Sequence, residues 1–192
     1  MRFHNLILLA LLLASSLNAC AQSIASERVQ VAPVEVGLNY NFVHANAPPS
    51  QCGCFSLNGG SGTLVVNAAH GLSFVVDLSS SHASHIDATT QNVTLFNALG
   101  GVRYSYRTPH RITPYIEALA GDSNEFSNYA YVQRANAFAA SGGIGINMVV
   151  KRHIGITLLE ANYLYSRLPN AGNNQQNDLQ IVSGILFRFG PR

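Results

Sequence analysis

Every second residue from Val36 to Phe42 is large and apolar (Val36, Leu38, Tyr40, Phe42), while Glu35, Gly37, Asn39 and Asn41 take the places between. A period of two belongs to an extended strand whose two faces meet different surroundings. The pattern recurs along the chain, with no helical periodicity, heptad or internal repeat beside it. It marks eight segments: Glu35 to Ala45, Ser61 to Ala68, Leu72 to Ser79, Val93 to Arg107, Pro114 to Gly121, Arg134 to Val149, Ile154 to Leu168 and Leu179 to Phe189.

The connections alternate as well. Tight links at Ala69-His70-Gly71, around His110 and around Lys151-Arg152 join strands two to three, four to five and six to seven. Asn46 to Gly60, Ser80 to Asn92, Asp122 to Gln133 and Pro169 to Asp178 are longer and rich in Asn, Ser, Gly and Pro, the composition of loops. Short turns at one end and long loops at the other describe an up-and-down antiparallel barrel, with both termini on the short-turn side.

Parity then tells inside from outside. Glu35, Asp77, Arg103, Glu117, Glu160 and Arg188 share the face opposite the large apolar residues; Arg134 and Arg167 break the pattern at the loop-side rim. A charge at a bilayer midplane costs about 2–4 kcal/mol, so the apolar face is expected outward, toward lipid. Composition agrees: 10% of residues are charged and 47% hydrophobic. Aromatics fall into two bands, Tyr40, Phe42, Phe96, Phe138, Tyr163 and Tyr165 toward the loops, Tyr104, Tyr106, Phe187 and Phe189 toward the turns, as interfacial girdles do. The expected fold is all-β, a closed eight-stranded antiparallel transmembrane barrel over residues 34–190.

Residues 1–21 read as a signal peptide: Arg2 and His4, an apolar run from Leu6 to Ala14, and small residues ending Ala19-Cys20-Ala21. Cleavage before Gln22 would leave a short segment, 22–33, ahead of the barrel; Leu17-Asn18-Ala19-Cys20 alternatively approximates a lipoprotein box, with a lipid on Cys20. Cleavage removes Arg2 alone among the charges, lowering the formal net charge from +2 to about +1. That balance points neither to nucleic acid nor to a polybasic membrane patch.

The chain resembles the small outer-membrane barrels that include the transmembrane domain of OmpA and the OmpX-like proteins, over Val34 to Gly190. The resemblance is strongest at Gly184-Ile185-Leu186-Phe187-Arg188-Phe189, which looks like the C-terminal signal read by the barrel assembly machinery: Gly184, then the spaced aromatics Phe187 and Phe189. Val182 departs from it at a usually polar position, and Gly190-Pro191-Arg192 follows the last aromatic. The resemblance implies a monomer in the bacterial outer membrane, in contact with its lipid, and no cofactor.

An eight-stranded barrel is only wide enough for its side chains to fill, so a packed polar lumen is expected, with its charges paired. A hairpin centred on His110 sets Arg103 opposite Glu117. A last loop centred on 174 would set Glu160 opposite Arg188, and Glu35 would approach Arg188 as the first strand meets the last. Together with Asp77 and Asn162 these residues form the expected luminal network. Cys52 and Cys54, in the first loop, favour a disulfide in an exported chain, over one intervening residue; with His44, His82 and His85 at the same end they match no metal motif. His82-Ala83-Ser84-His85 evokes lipid-modifying barrels with a rim Ser and His, but has no identified oxyanion hole or orienting carboxylate, so no enzymatic activity is expected. Asn92-Val93-Thr94 matches the glycosylation sequon only formally and is assigned no role. The expected role is therefore structural or surface-binding, through four mobile loops whose ligand the residues do not name. A periplasmic or lipid-tethered lipocalin-like barrel is the alternative, and would need an apolar interior and a polar exterior.

Overall fold

The computed structural model describes residues 31–45, 55–84, 86, 92–107, 111–128, 134–169 and 174–190. Eight strands, β1 (Val34–Ala45), β2 (Phe55–Asn67), β3 (Leu72–Ser84), β4 (Asn92–Ser105), β5 (Ile112–Ser127), β6 (Arg134–Lys151), β7 (Ile154–Ser166) and β8 (Gln176–Phe189), pair antiparallel in chain order, and β8 closes on β1. The signal peptide, Cys20, Cys52, Cys54, His85 and His110 lie outside the described residues.

Alternation sets the two faces throughout. Leu38, Phe74, Leu78, Ile116, Ile144 and Ile185 are exposed on the outer wall, while Asp77, Arg103, Glu117, Glu160 and Arg188 project into the barrel. Aromatic bands edge this wall above and below. Two irregularities interrupt the pairing, one between Val149 and Lys151 in β6 and one in β7, where Leu158 and Leu159 are both exposed and the register against β6 and β8 steps by one. The β-bulge in β7 keeps Ile154 and Ile156 outward below it and Ala161 and Tyr163 outward above it, although the two pairs differ in parity.

The strands run further toward the loop end than alternation indicates. β2 begins at Phe55 rather than Ser61, β3 continues to Ser84, and β5 continues to Ser127 through residues expected in a loop. Strands of 12 to 18 residues, at about 3.3 Å per residue and a tilt near 40°, rise roughly 30–45 Å along the axis, against an apolar band of about 25 Å. The barrel therefore stands above the band. There its outer face is polar and paired across strands: His82 Nδ1 lies 2.9 Å from Thr94 Oγ1, and Asn136 donates to Asn124 at 2.9 Å.

Candidate functional site: the filled lumen

Arg103 on β4 and Glu117 on β5 are cross-strand partners. The guanidinium approaches the carboxylate twice, Nη2 at 2.6 Å and Nε at 2.8 Å from Oε2, and both side chains are buried. The same Nη2 lies 3.5 Å from Glu160 on β7, across the barrel. Tyr115 completes the cluster: its hydroxyl donates to Glu160, and Arg103 packs 4.0 Å from its ring centroid. Asn162 donates to Glu160 Oε1 at 2.6 Å.

Space for this cluster comes from β6. Gly143 and Gly145 face inward between β5 and β7, and a Cβ at Gly145 would run into the Tyr115 ring, one at Gly143 into the Asn162 amide. Neither glycine nor Tyr115 stands out in the alternation, since a glycine shows no face and a tyrosine is at home on either. The Gly-Gly-Ile-Gly run at 142–145 was their one available sign.

Asp77 lies apart from these ion pairs, in a relay across three strands: Asn39 donates to Thr63 at 3.0 Å, and Thr63 to Asp77 at 2.9 Å. Toward the loops, Ser123 donates to Asn97 at 2.6 Å and Asn97 to Ser79 at 3.2 Å. The expected Glu160–Arg188 pairing is corrected. Glu160 stands opposite Val182, because β7 and β8 pair in a register whose midpoint lies three residues before position 174. Arg188 instead faces Glu35 across the closing seam, with Nε 3.0 Å from Oε1. Below them a recess of about 50 Å³ opens at the short-turn mouth, lined in part by Glu35, Asn67, Arg107 and Arg188.

The expectation of a polar lumen is corrected: apolar side chains fill part of it. Val43, Leu57, Ala83, Leu95, Leu164 and Leu168 face inward near the loop end and form one buried cluster, Val43 and Leu168 with 0% exposure. Near the loop end, where the outer wall carries polar residues, turning these side chains inward removes them from water. Val65, Val75, Leu99 and Leu119, deeper in the barrel, belong to the same cluster, so apolar side chains share the lumen with the polar network.

Gly184 faces inward against Asn39, where a Cβ would strike the Asn39 backbone and side chain; Phe187 and Phe189 face outward in the turn-side band. His44, His82 and Ser84 are exposed on the outer wall and do not converge inside. Among the described residues no three His, Cys, Asp or Glu side chains gather as a metal site would require.

Residues 7–189 match the family model described as outer membrane protein beta-barrel domain. No curated protein matches the sequence. Solved structures share the architecture at low identity. Neisserial surface protein A superposes with a TM-score of 0.63 at 14% identity, over 82% of this chain and 98% of that one. Ail, the attachment invasion locus protein of Yersinia pestis, gives 0.58 at 10%, over 83% and 100%. The N-terminal barrel domain of Pseudomonas aeruginosa OprF gives 0.51 at 17%, over 83% and 100%.

Proposed function

Because the chain belongs to the outer membrane protein beta-barrel family, and so to the bacterial outer membrane, we propose that it is a closed, surface-presenting scaffold, not a wide pore and not an enzyme. The observation that carries this reading is the filled lumen. The Arg103–Glu117–Glu160 cluster occupies the membrane band, and an apolar layer lies above it. A passing ion would have to break buried ion pairs and then cross a dry layer. The luminal residues act as a structural plug, and recognition belongs to the segments joining the strands at the loop end.

The outer wall supports this reading over the lipocalin-like alternative, since a soluble carrier would not expose Leu38, Phe74, Ile116 and Ile144. His82 and Ser84, the described residues of the rim motif, both lie on the outer wall, and His82 is engaged with Thr94, which favours a non-enzymatic role. Ail has been crystallised with the heparin analogue sucrose octasulfate. A polyanion site of that kind at this loop end would have Arg134 and Arg167 among the described cations, with Asp122, Glu125 and Asp178 also at that end, so an uncharged surface ligand fits better.

Export through the signal peptide, insertion through β8 by the assembly machinery, and a monomeric state complete the proposal. Cell fractionation with a gel comparing boiled and unboiled protein tests the membrane barrel: an outer-membrane band that shifts on boiling is expected, and a soluble, unshifted protein would overturn it. Planar-bilayer recording tests closure. Wild type is expected to show no steady conductance; large open channels would refute the plug.

A further inference from the structure

The charges of this barrel are sorted along its axis, although they nearly cancel in sum. At the short-turn end stand Arg107, Arg111, Lys151, Arg152 and Arg188, and the one described acid there is Glu35, already bound to Arg188. The three short turns, 69–71, 108–111 and 151–153, contain no acidic residue. Asp122, Glu125 and Asp178 lie instead toward the loop end.

Three of these cations form one face. Val149 donates its amide to the Arg111 carbonyl at 2.8 Å, which ties the β4–β5 turn to the end of β6 and brings Arg111 beside the Lys151-Arg152 turn. All three side chains are exposed. Each is also within two residues of an exposed apolar side chain of the outer wall: Ile112 follows Arg111, Val150 precedes Lys151, and Ile154 lies two residues beyond Arg152. Tyr104, Tyr106 and Phe189 band the wall at this end. Cations directly outside an aromatic and apolar edge stand at the depth of lipid headgroups, where each is attracted to an anionic leaflet.

We propose that Arg111, Lys151 and Arg152 form a binding face for the anionic phospholipid headgroups of the leaflet at the short-turn end. This rests on the reading of the protein as a membrane barrel. A soluble polyanion is the less favoured partner, because the face continues into the lipid-facing wall without a polar border. The face would fix the barrel's depth and retain acidic lipid around its turns.

The full chain, inserted in phosphatidylcholine vesicles, can be probed by electron spin resonance with spin-labelled phosphatidylglycerol and phosphatidylcholine. This reads lipid at the wall whichever way the barrel points. Expected is a preference for phosphatidylglycerol of about threefold or more, the order that a few surface cations produce, falling toward unity in 1 M salt and in the variant R111Q/K151Q/R152Q. The loop-end variant R134Q/R167Q should retain it. Equal association of both lipids with an inserted, heat-shifted wild type would overturn this inference alone, as would loss of preference in R134Q/R167Q instead of the triple variant. Retention of wild type on immobilised polyglutamate, with no lipid preference, would reassign the face to a soluble polyanion. A protein that never inserts would overturn the membrane reading and this inference with it.

Discussion

Glu35 on the first strand and Arg188 on the last face each other across the seam where the barrel closes, with Arg188 Nε 3.0 Å from Glu35 Oε1 and both side chains largely buried. Removing one partner of a buried pair strands the other's charge, at about 3–5 kcal/mol. Arg188→Met is therefore expected to lower stability by about 3 kcal/mol, and Glu35→Gln, which keeps an acceptor, by about 1–2 kcal/mol. With no tryptophan in the chain, urea titration of the boiled-versus-unboiled gel shift measures both.

The central cluster predicts an uneven pattern. Arg103 serves Glu117 and Glu160 together, so Arg103→Met leaves two carboxylates facing each other and should cost about 3 kcal/mol or more. Tyr115→Phe, which removes one donor to Glu160, should cost about 1–2 kcal/mol. Adding Glu117→Gln to Arg103→Met should recover part of the loss, a coupling of about 1–3 kcal/mol in a double-mutant cycle.

Two glycines on the same strand should respond oppositely. A side chain at Gly145 meets the Tyr115 ring, whereas an added Cβ at Gly142, on the outer wall, has nothing within 4 Å. Gly145→Val is expected to lose about 1–3 kcal/mol or fail to fold; Gly142→Val should insert and shift on the gel like wild type.

The bulge in β7 makes one residue expendable. Deleting Leu158 removes the extra residue while Thr157 and Glu160 keep facing inward, so the barrel should still form. Deleting Ala161 puts the residues on one side of the cut on the wrong face, and should abolish the heat-shifted band.

At the loop end, Leu57 and Leu164 are almost wholly buried. Leu164→Ala should cost about 2–5 kcal/mol. Leu57→Asp should admit water to the layer, and bilayer recordings of it should show brief current steps absent from wild type. The carboxylates of Glu117 and Glu160 below predict that cations carry them.

The strands and their inner and outer faces were legible wherever one face met lipid, because there each substitution of polar for apolar is penalised. The register of Arg103 against Glu117 was legible too, since the short turn about His110 leaves little freedom. Elsewhere the signal fades for identifiable reasons. Ser56, Asn58, Ser80 and Asn124 lie in strands whose outer face meets water, so a polar residue there looks like loop. Glu160 was matched to the wrong partner because a long loop does not fix its own midpoint. Leu57 fell in a stretch expected to be loop, although it lies in β2 and faces inward. The basic end was hidden by arithmetic: a formal charge near zero is the sum of two opposite ends.

Seven of the eight strand pairings join neighbours in sequence, and one joins β1 to β8, across a separation of 153 residues at Arg188 and Glu35. The chain can therefore grow hairpin by hairpin with little loop-closure entropy at each step, and it meets a single long-range event at the end. Until Phe189 reaches Val34, two strand edges stay unpaired and open to any extended segment nearby. The last strand therefore sets how long the nascent protein is exposed to aggregation and proteolysis, and a chain shortened by that one strand never leaves that state.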